Sequence, residues 1–177
     1  MIKLIVAQKH MNLRKLIVVT CSAIVALSGN VIFAEVAQTQ PGNSRRTFGD
    51  CCRQKADLSP EGKHTVEVLL KEAETTECDV ANRKLSTFTE LNLGRTEISD
   101  IKPLQSLTKL TELNLIENNI GDIKPLESLT QLTFLDLQSN NISDIKPLAS
   151  LTKLTVLLLN NHKISDIKPL ASLTNLT

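Results

Sequence analysis

The chain has 177 residues, with 20 Lys and Arg against 19 Asp and Glu, for a formal net charge of +1. It has no Trp, no Tyr and only four Phe, so it lacks aromatic platforms for stacking bases or sugars. No basic patch forms, and nucleic acid is excluded as a partner.

In chain order the first feature is an apolar run from Leu16 to Ala34, preceded by Arg14 and Lys15 and ended by Glu35. A basic start, an apolar middle and a small residue at the end are the parts of a secretory signal, expected at residues 1–34. The chain is therefore read as exported, either secreted or held in the periplasm or cell envelope. An uncleaved membrane anchor is the alternative, since such a run approaches the length that spans a bilayer core of about 30 Å. Cleavage would remove Lys3, Lys9, Arg14 and Lys15 and no acid, leaving 16 basic and 19 acidic residues and a net charge of −3. Residues 35–47 are polar around Pro41-Gly42-Asn43-Ser44 and read as a linker.

Three cysteines come next: Cys51, Cys52 and Cys78. In an exported chain a disulfide is the default use, and the odd count leaves one thiol over. Adjacent cysteines rarely bridge, so Cys52–Cys78 is expected, with Cys51–Cys78 as the competitor. Ser59 and Pro60 give a helix start, as N-cap and first helical residue. Val66, Leu69, Leu70 and Ala73 then share one helical face, and the helix should end near Thr75. Residues 48–87 read as an N-terminal helical cap on the remainder of the chain.

From residue 88 the sequence repeats every 22 residues. Four full copies occupy 88–109, 110–131, 132–153 and 154–175, and a fifth breaks off at Thr177. A fixed period in this range describes one supersecondary unit stacked on copies of itself. Leu113-Asn114-Leu115 alternates as a half-buried strand does. Ile123-Lys124-Pro125-Leu126 cannot sit inside an α-helix, because Pro lacks the amide donor, and suits a short 3₁₀ or extended turn. Seven aliphatics of the second copy should point inward: Leu110, Leu113, Leu115, Ile120, Ile123, Leu126 and Leu129. Stacked coils would set the strands in a parallel sheet.

The pattern Leu110-x-x-Leu113-x-Leu115-x-x-Asn118-x-Ile120, with the return segment Asp122-Ile123-Lys124-Pro125-Leu126, resembles the bacterial internalin-like subclass of leucine-rich-repeat proteins. The resemblance covers residues 88–177, or from residue 48 if the cysteine-containing cap is included. It implies an α/β solenoid, a right-handed coil with a short parallel sheet on its concave face, capped at its N-terminus by a helix. It also implies that the concave face binds other proteins. The immunoglobulin-like domain and wall-anchoring tail with which internalins often continue have no counterpart in this sequence, so adhesion is not carried over.

Comparison of the copies separates two kinds of position. Variation gathers at the third, fifth, seventh and eighth places, which flank and alternate with the strand leucines. These rows read Glu90, Asn92, Gly94, Arg95; Glu112, Asn114, Ile116, Glu117; Phe134, Asp136, Gln138, Ser139; and Val156, Leu158, Asn160, Asn161. Glu112, Asn114, Ile116, Glu117, Phe134, Asp136, Gln138, Val156, Leu158 and Asn160 are the expected partner-binding residues, with an apolar centre around Ile116, Phe134, Val156 and Leu158. Neutral drift of surface positions is the alternative.

The ninth-place Asn118 and Asn140 read as backbone-bonding residues, replaced by Thr96 and His162 in the outer copies. The column Asp100, Asp122, Asp144 and Asp166 reads as a solvated charged face or as caps on the return turn rather than a calcium site. No nucleophile stands at a useful spacing from a base, so neither enzymatic activity nor a small-molecule substrate, cofactor or metal is expected. The expected function is non-enzymatic binding of a protein partner of unknown identity. A truncated piece of a longer surface protein with no ligand of its own is the alternative. The last coil would leave inward leucines at an uncapped C-terminal edge, open to self-association.

Overall fold

The computed structural model describes residues 46–160 and 164–177. The apolar run before Glu35, all but the last two residues of the linker and His162 lie outside them.

Three helices precede the coils. The first, α1 (Phe48–Arg53), starts at a capping box in which the Thr47 hydroxyl accepts from the Asp50 N–H while the Asp50 carboxylate accepts from the Thr47 N–H. The second, α2 (Pro60–Glu72), starts where Ser59 accepts the Gly62 N–H at 3.1 Å. It buries Val66, Leu69 and Ala73, with Leu70 at the margin of the same face. The helix stops at Glu72, short of the expected Thr75, because Glu74 turns into the left-handed region at φ 51°. Its N–H then donates to Lys71 O and that of Thr75 to Leu70 O, which is a Schellman closure made without glycine. The Lys84 ammonium adds a bond to Ala73 O, one more carbonyl at the end of that helix.

The third helix, α3 (Cys78–Leu85), is tied to α1 by the Cys52–Cys78 disulfide, leaving Cys51 a buried free thiol. Gly49 lets the two helices approach closely. Its N–H donates to Asn82 Oδ1 at 3.0 Å, and a Cβ there would stand 3.2 Å from the Asn82 side chain.

Four strands come after the helices: β1 (Glu90–Asn92), β2 (Glu112–Asn114), β3 (Phe134–Asp136) and β4 (Val156–Leu158). They pair in parallel in the order 1-2-3-4 with a register of 22 residues, so Leu91, Leu113, Leu135 and Leu157 form one inward row. The return segments are 3₁₀ turns at Lys102–Leu104, Lys124–Ser128, Lys146–Ser150 and Lys168–Ser172, each with Pro at its second residue. The seven aliphatics expected inward in the second copy are all 0–1% exposed.

Most constant polar places make bonds between or within coils. Thr111, Thr133 and Thr155 hydroxyls donate to the carbonyls of Thr89, Thr111 and Thr133 one coil earlier. Ser128, Ser150 and Ser172 donate to Gln105, Glu127 and Ala149 carbonyls. Ser106, at the same place in the first coil, has no earlier coil beneath it and instead accepts the Phe48 N–H of α1 at 2.9 Å. Thr65 Oγ1 donates to Asp100 O at 2.8 Å, and His64 Nε2 lies 2.7 Å from Thr96 O, so the helices close the first coil with backbone bonds as well as apolar packing.

Candidate functional site

The sheet carries two rows of outward side chains, because successive residues of a strand alternate faces and the leucine between them points inward. The third-place row runs Glu90, Glu112, Phe134, Val156 in register, and the fifth-place row runs Asn92, Asn114, Asp136, Leu158. The seventh and eighth places continue just beyond the strand ends. Glu112, Glu117 and Asn160 are exposed, while Asn114, Ile116, Phe134, Gln138, Val156 and Leu158 are half-buried. Ten residues expected as one surface therefore do fall on one side of the sheet, with one exception in degree: Asp136 is only 6% exposed.

The reason is local. Asn92 Oδ1 accepts from the Gly94 N–H, Asn114 Oδ1 from Ile116 N–H and Asp136 Oδ1 from Gln138 N–H, at 3.1, 3.0 and 2.9 Å. Each fifth-place side chain thus folds over the end of its own strand in an Asx turn. The fifth place is a structural position as well as a surface one, which copy-to-copy variation between Asn and Asp conceals. In β4, Leu158 lacks this acceptor and stands half-exposed.

The eighth place carries a second constraint. Arg95, Glu117 and Ser139 adopt φ of 60°, 52° and 55°. Arg95 lies across to Glu117 in a two-pronged ion pair, Nε to Oε2 at 3.0 Å and Nη2 to Oε1 at 2.8 Å. Those hydrogen bonds hold the Glu117 carboxyl below the usual glutamate range and raise the guanidinium of Arg95 in return. At the seventh place Gly94 lies beneath Ile116, where a Cβ would come within 2.7 Å of Ile116 Cγ2. Glycine is what allows Ile116 to lie over the first coil.

The ninth-place asparagines bond as expected of a backbone ladder. Asn118 Nδ2 donates to Leu93 O at 2.8 Å and Leu115 O at 3.0 Å, while its Oδ1 accepts from the Ile98 N–H at 3.1 Å. Asn140 repeats this with Leu115 O, Leu137 O and the Ile120 N–H. The aspartate column caps the return turns, accepting the N–H of Lys102, Lys124, Lys146 and Lys168 at 2.9–3.0 Å.

Two residues of the first copy, Glu90 and Asn92, belong with the surface and are omitted from the expected set. Glu90 is the register partner of Glu112, and both line a shallow depression of about 430 Å³ with Asn92, Asn114 and Phe134. The signal for them was the third- and fifth-place columns themselves, read one copy further back.

A sheet of in-register single strands, closed by short 3₁₀ returns and an asparagine ladder, is the leucine-rich-repeat fold. The leucine-rich-repeat family model (two copies) matches residues 89–128 and 130–172. Among solved structures, internalin C2 of Listeria monocytogenes is 46% identical with a TM-score of 0.52, over 54% of this chain and 42% of that one. An internalin of the same organism, InlF, is 34% identical with a TM-score of 0.59, over 67% of this chain and 37% of that one. The functional domain of InlJ, described as including a cysteine ladder, is 32% identical with a TM-score of 0.50, over 53% and 20%. No curated protein matches the chain. The chain carries, over residues 89–172, leucine-rich repeats similar to those of the internalins, after a disulfide-bearing N-terminal segment. It spans less than half the length of each of these relatives.

Proposed function

We propose that this protein is exported and binds a protein partner through the strand face, at the apolar centre formed by Ile116, Phe134, Val156 and Leu158. One observation carries the reading. The in-register sheet gathers the places that differ between copies onto one side, while the constant threonine, asparagine, serine and aspartate columns are taken up by bonds of the coils. Half-buried apolar side chains rimmed by Glu112, Glu117, Gln138 and Asn160 have the make-up of an interaction surface. Such a surface binds without chemistry on the partner, which fits the non-enzymatic reading. Export is supported by the basic-then-apolar start of the chain and by the disulfide, which persists in oxidising compartments.

The test is a paired binding measurement with immobilised protein and the proteins of envelope and extracellular fractions. Phe134→Asp with Leu158→Asp should abolish a partner that the unaltered chain and a Lys124→Glu control, altered on the return side, both retain. Equal retention by the double variant would overturn the assignment, provided circular dichroism shows all three folded. Export is checked by the N-terminal peptide of the secreted form, expected to begin at Glu35.

A further inference from the structure

We propose that the depression across β1 and β2 receives a cationic side chain, a guanidinium or an ammonium, from a protein partner whose neighbouring apolar side chain lies on Phe134, Val156 and Leu158. The inference rests on the strand-face reading above and specifies the chemistry of what that face takes.

Glu90 and Glu112 stand side by side on paired strands. Neighbouring strands are about 4.8 Å apart, and like charges directly opposite each other disfavour the fold unless something stands between them. Neither carboxylate forms an ion pair with a described residue, and Arg95, at the eighth place of the same copy as Glu90, is held by Glu117. The walls suit a cation in other ways. Phe134 borders the depression and can offer a ring to a guanidinium. Asn92 and Asn114 have their Oδ1 atoms committed to Gly94 and Ile116, which leaves their amide N–H groups to meet a partner's backbone carbonyls.

Asp136, on the same face but outside the depression, adds to its acidity. It is the register partner of Asn114, is 6% exposed, and has one carboxylate oxygen bonded to the Gln138 N–H. Its other oxygen accepts no hydrogen bond from the described residues. A carboxylate so far from water is expected to be paired or fully hydrogen-bonded. The side of the sheet that carries Glu90, Glu112 and Asp136 thus holds three acids without an ion-pair partner, besides Glu117 on Arg95, and no unpaired base among its described outward places. Charge complementarity selects a basic partner over an acidic one. From the Glu90–Glu112 pair to the Phe134–Val156 pair is two strand spacings, about 10 Å, the reach of three residues of extended chain.

The test is panning of a random dodecapeptide phage library on the immobilised full chain. The expected result is enrichment of peptides with Arg or Lys two to four residues from a large apolar residue. For the best synthetic peptide, Glu90→Gln with Glu112→Gln should weaken binding tenfold or more and flatten its dependence on salt. Phe134→Ser should weaken it as well, and Lys124→Gln should not. Enriched peptides that need Phe134 and Leu158 but carry no basic residue would overturn the cation subsite and leave the strand-face reading standing. No enrichment, or enrichment unaffected by any of these variants, would overturn both.

Discussion

Asn118 serves two coils with a single amide, bonding carbonyls of the first and second copies and the Ile98 N–H between them. Replacing it by Ala strands buried backbone groups, each costing about 1–3 kcal/mol when left unpaired. Asn118→Ala should therefore lose about 3 kcal/mol in chemical denaturation, and the exposed neighbour substitution Asn119→Ala much less. The Arg95–Glu117 pair gives a pH-dependent counterpart. Because Arg95 lowers the carboxyl of Glu117, the pair's contribution is present above the unfolded glutamate pKa and is lost as pH falls through the lowered folded value. Arg95→Gln should move the Glu117 midpoint upward toward an ordinary glutamate in a carboxyl NMR titration; an unmoved midpoint would show that the pair does not form in solution. Cys51 titrates in the opposite sense. Burial pushes its thiol up, so the native protein should resist thiol reagents at neutral pH until it is denatured.

At the scale of elements, the N-terminal helices and the coils obey different rules of legibility. The repeat aliphatics and the asparagine ladder can be read from the sequence, because a 22-residue period shows the same requirement four times over. The start of α2 is equally readable from Ser59 and Pro60. Its end is not, since Glu74 takes the left-handed turn that glycine normally marks. The Asx turns at Asn92, Asn114 and Asp136 escape for another reason: a short polar residue looks the same in a sequence whether it faces a partner or its own backbone. The helices also depend on a covalent link that the coils do not need. Closing 26 residues between Cys52 and Cys78 should stabilise by about 3 kcal/mol in the chain-entropy model. Reduction should lower the melting temperature of the native chain and leave that of a Cys52→Ser, Cys78→Ser variant unchanged.

Over the whole molecule, burial is uneven along the stack. Ile145 is 1% exposed, whereas Ile167, its counterpart one coil later, is 70% exposed. Leu135 is fully buried and Leu157 only partly so. Leu135→Ala should cost about 3 kcal/mol and Leu157→Ala about half as much or less, because the second side chain gives up less contact. Stability in such a stack is close to a sum of coil and interface terms, so melting of the described coils should begin at the fourth and reach the helices last. Hydrogen exchange would show this as amide protection falling from β2 to β4.

The hydrogen bonds between coils have a consequence at the level of the gene. Thr111 to Thr89, Thr133 to Thr111 and Thr155 to Thr133 all span 22 residues, and Ser128 to Gln105 and Ser150 to Glu127 span 23. Excising residues 132–153 joins the second coil to the fourth with every such partner replaced by its equivalent. Excising half that length leaves none of them facing its partner. Sixty-six nucleotides are therefore the smallest in-frame deletion or duplication that this architecture accepts in its middle, and near-identical copies are the substrate on which unequal crossing-over acts. Loss or gain of a whole copy would alter the reach of the strand face by one row while leaving the rules of stacking untouched, so the extent of that face becomes a heritable variable.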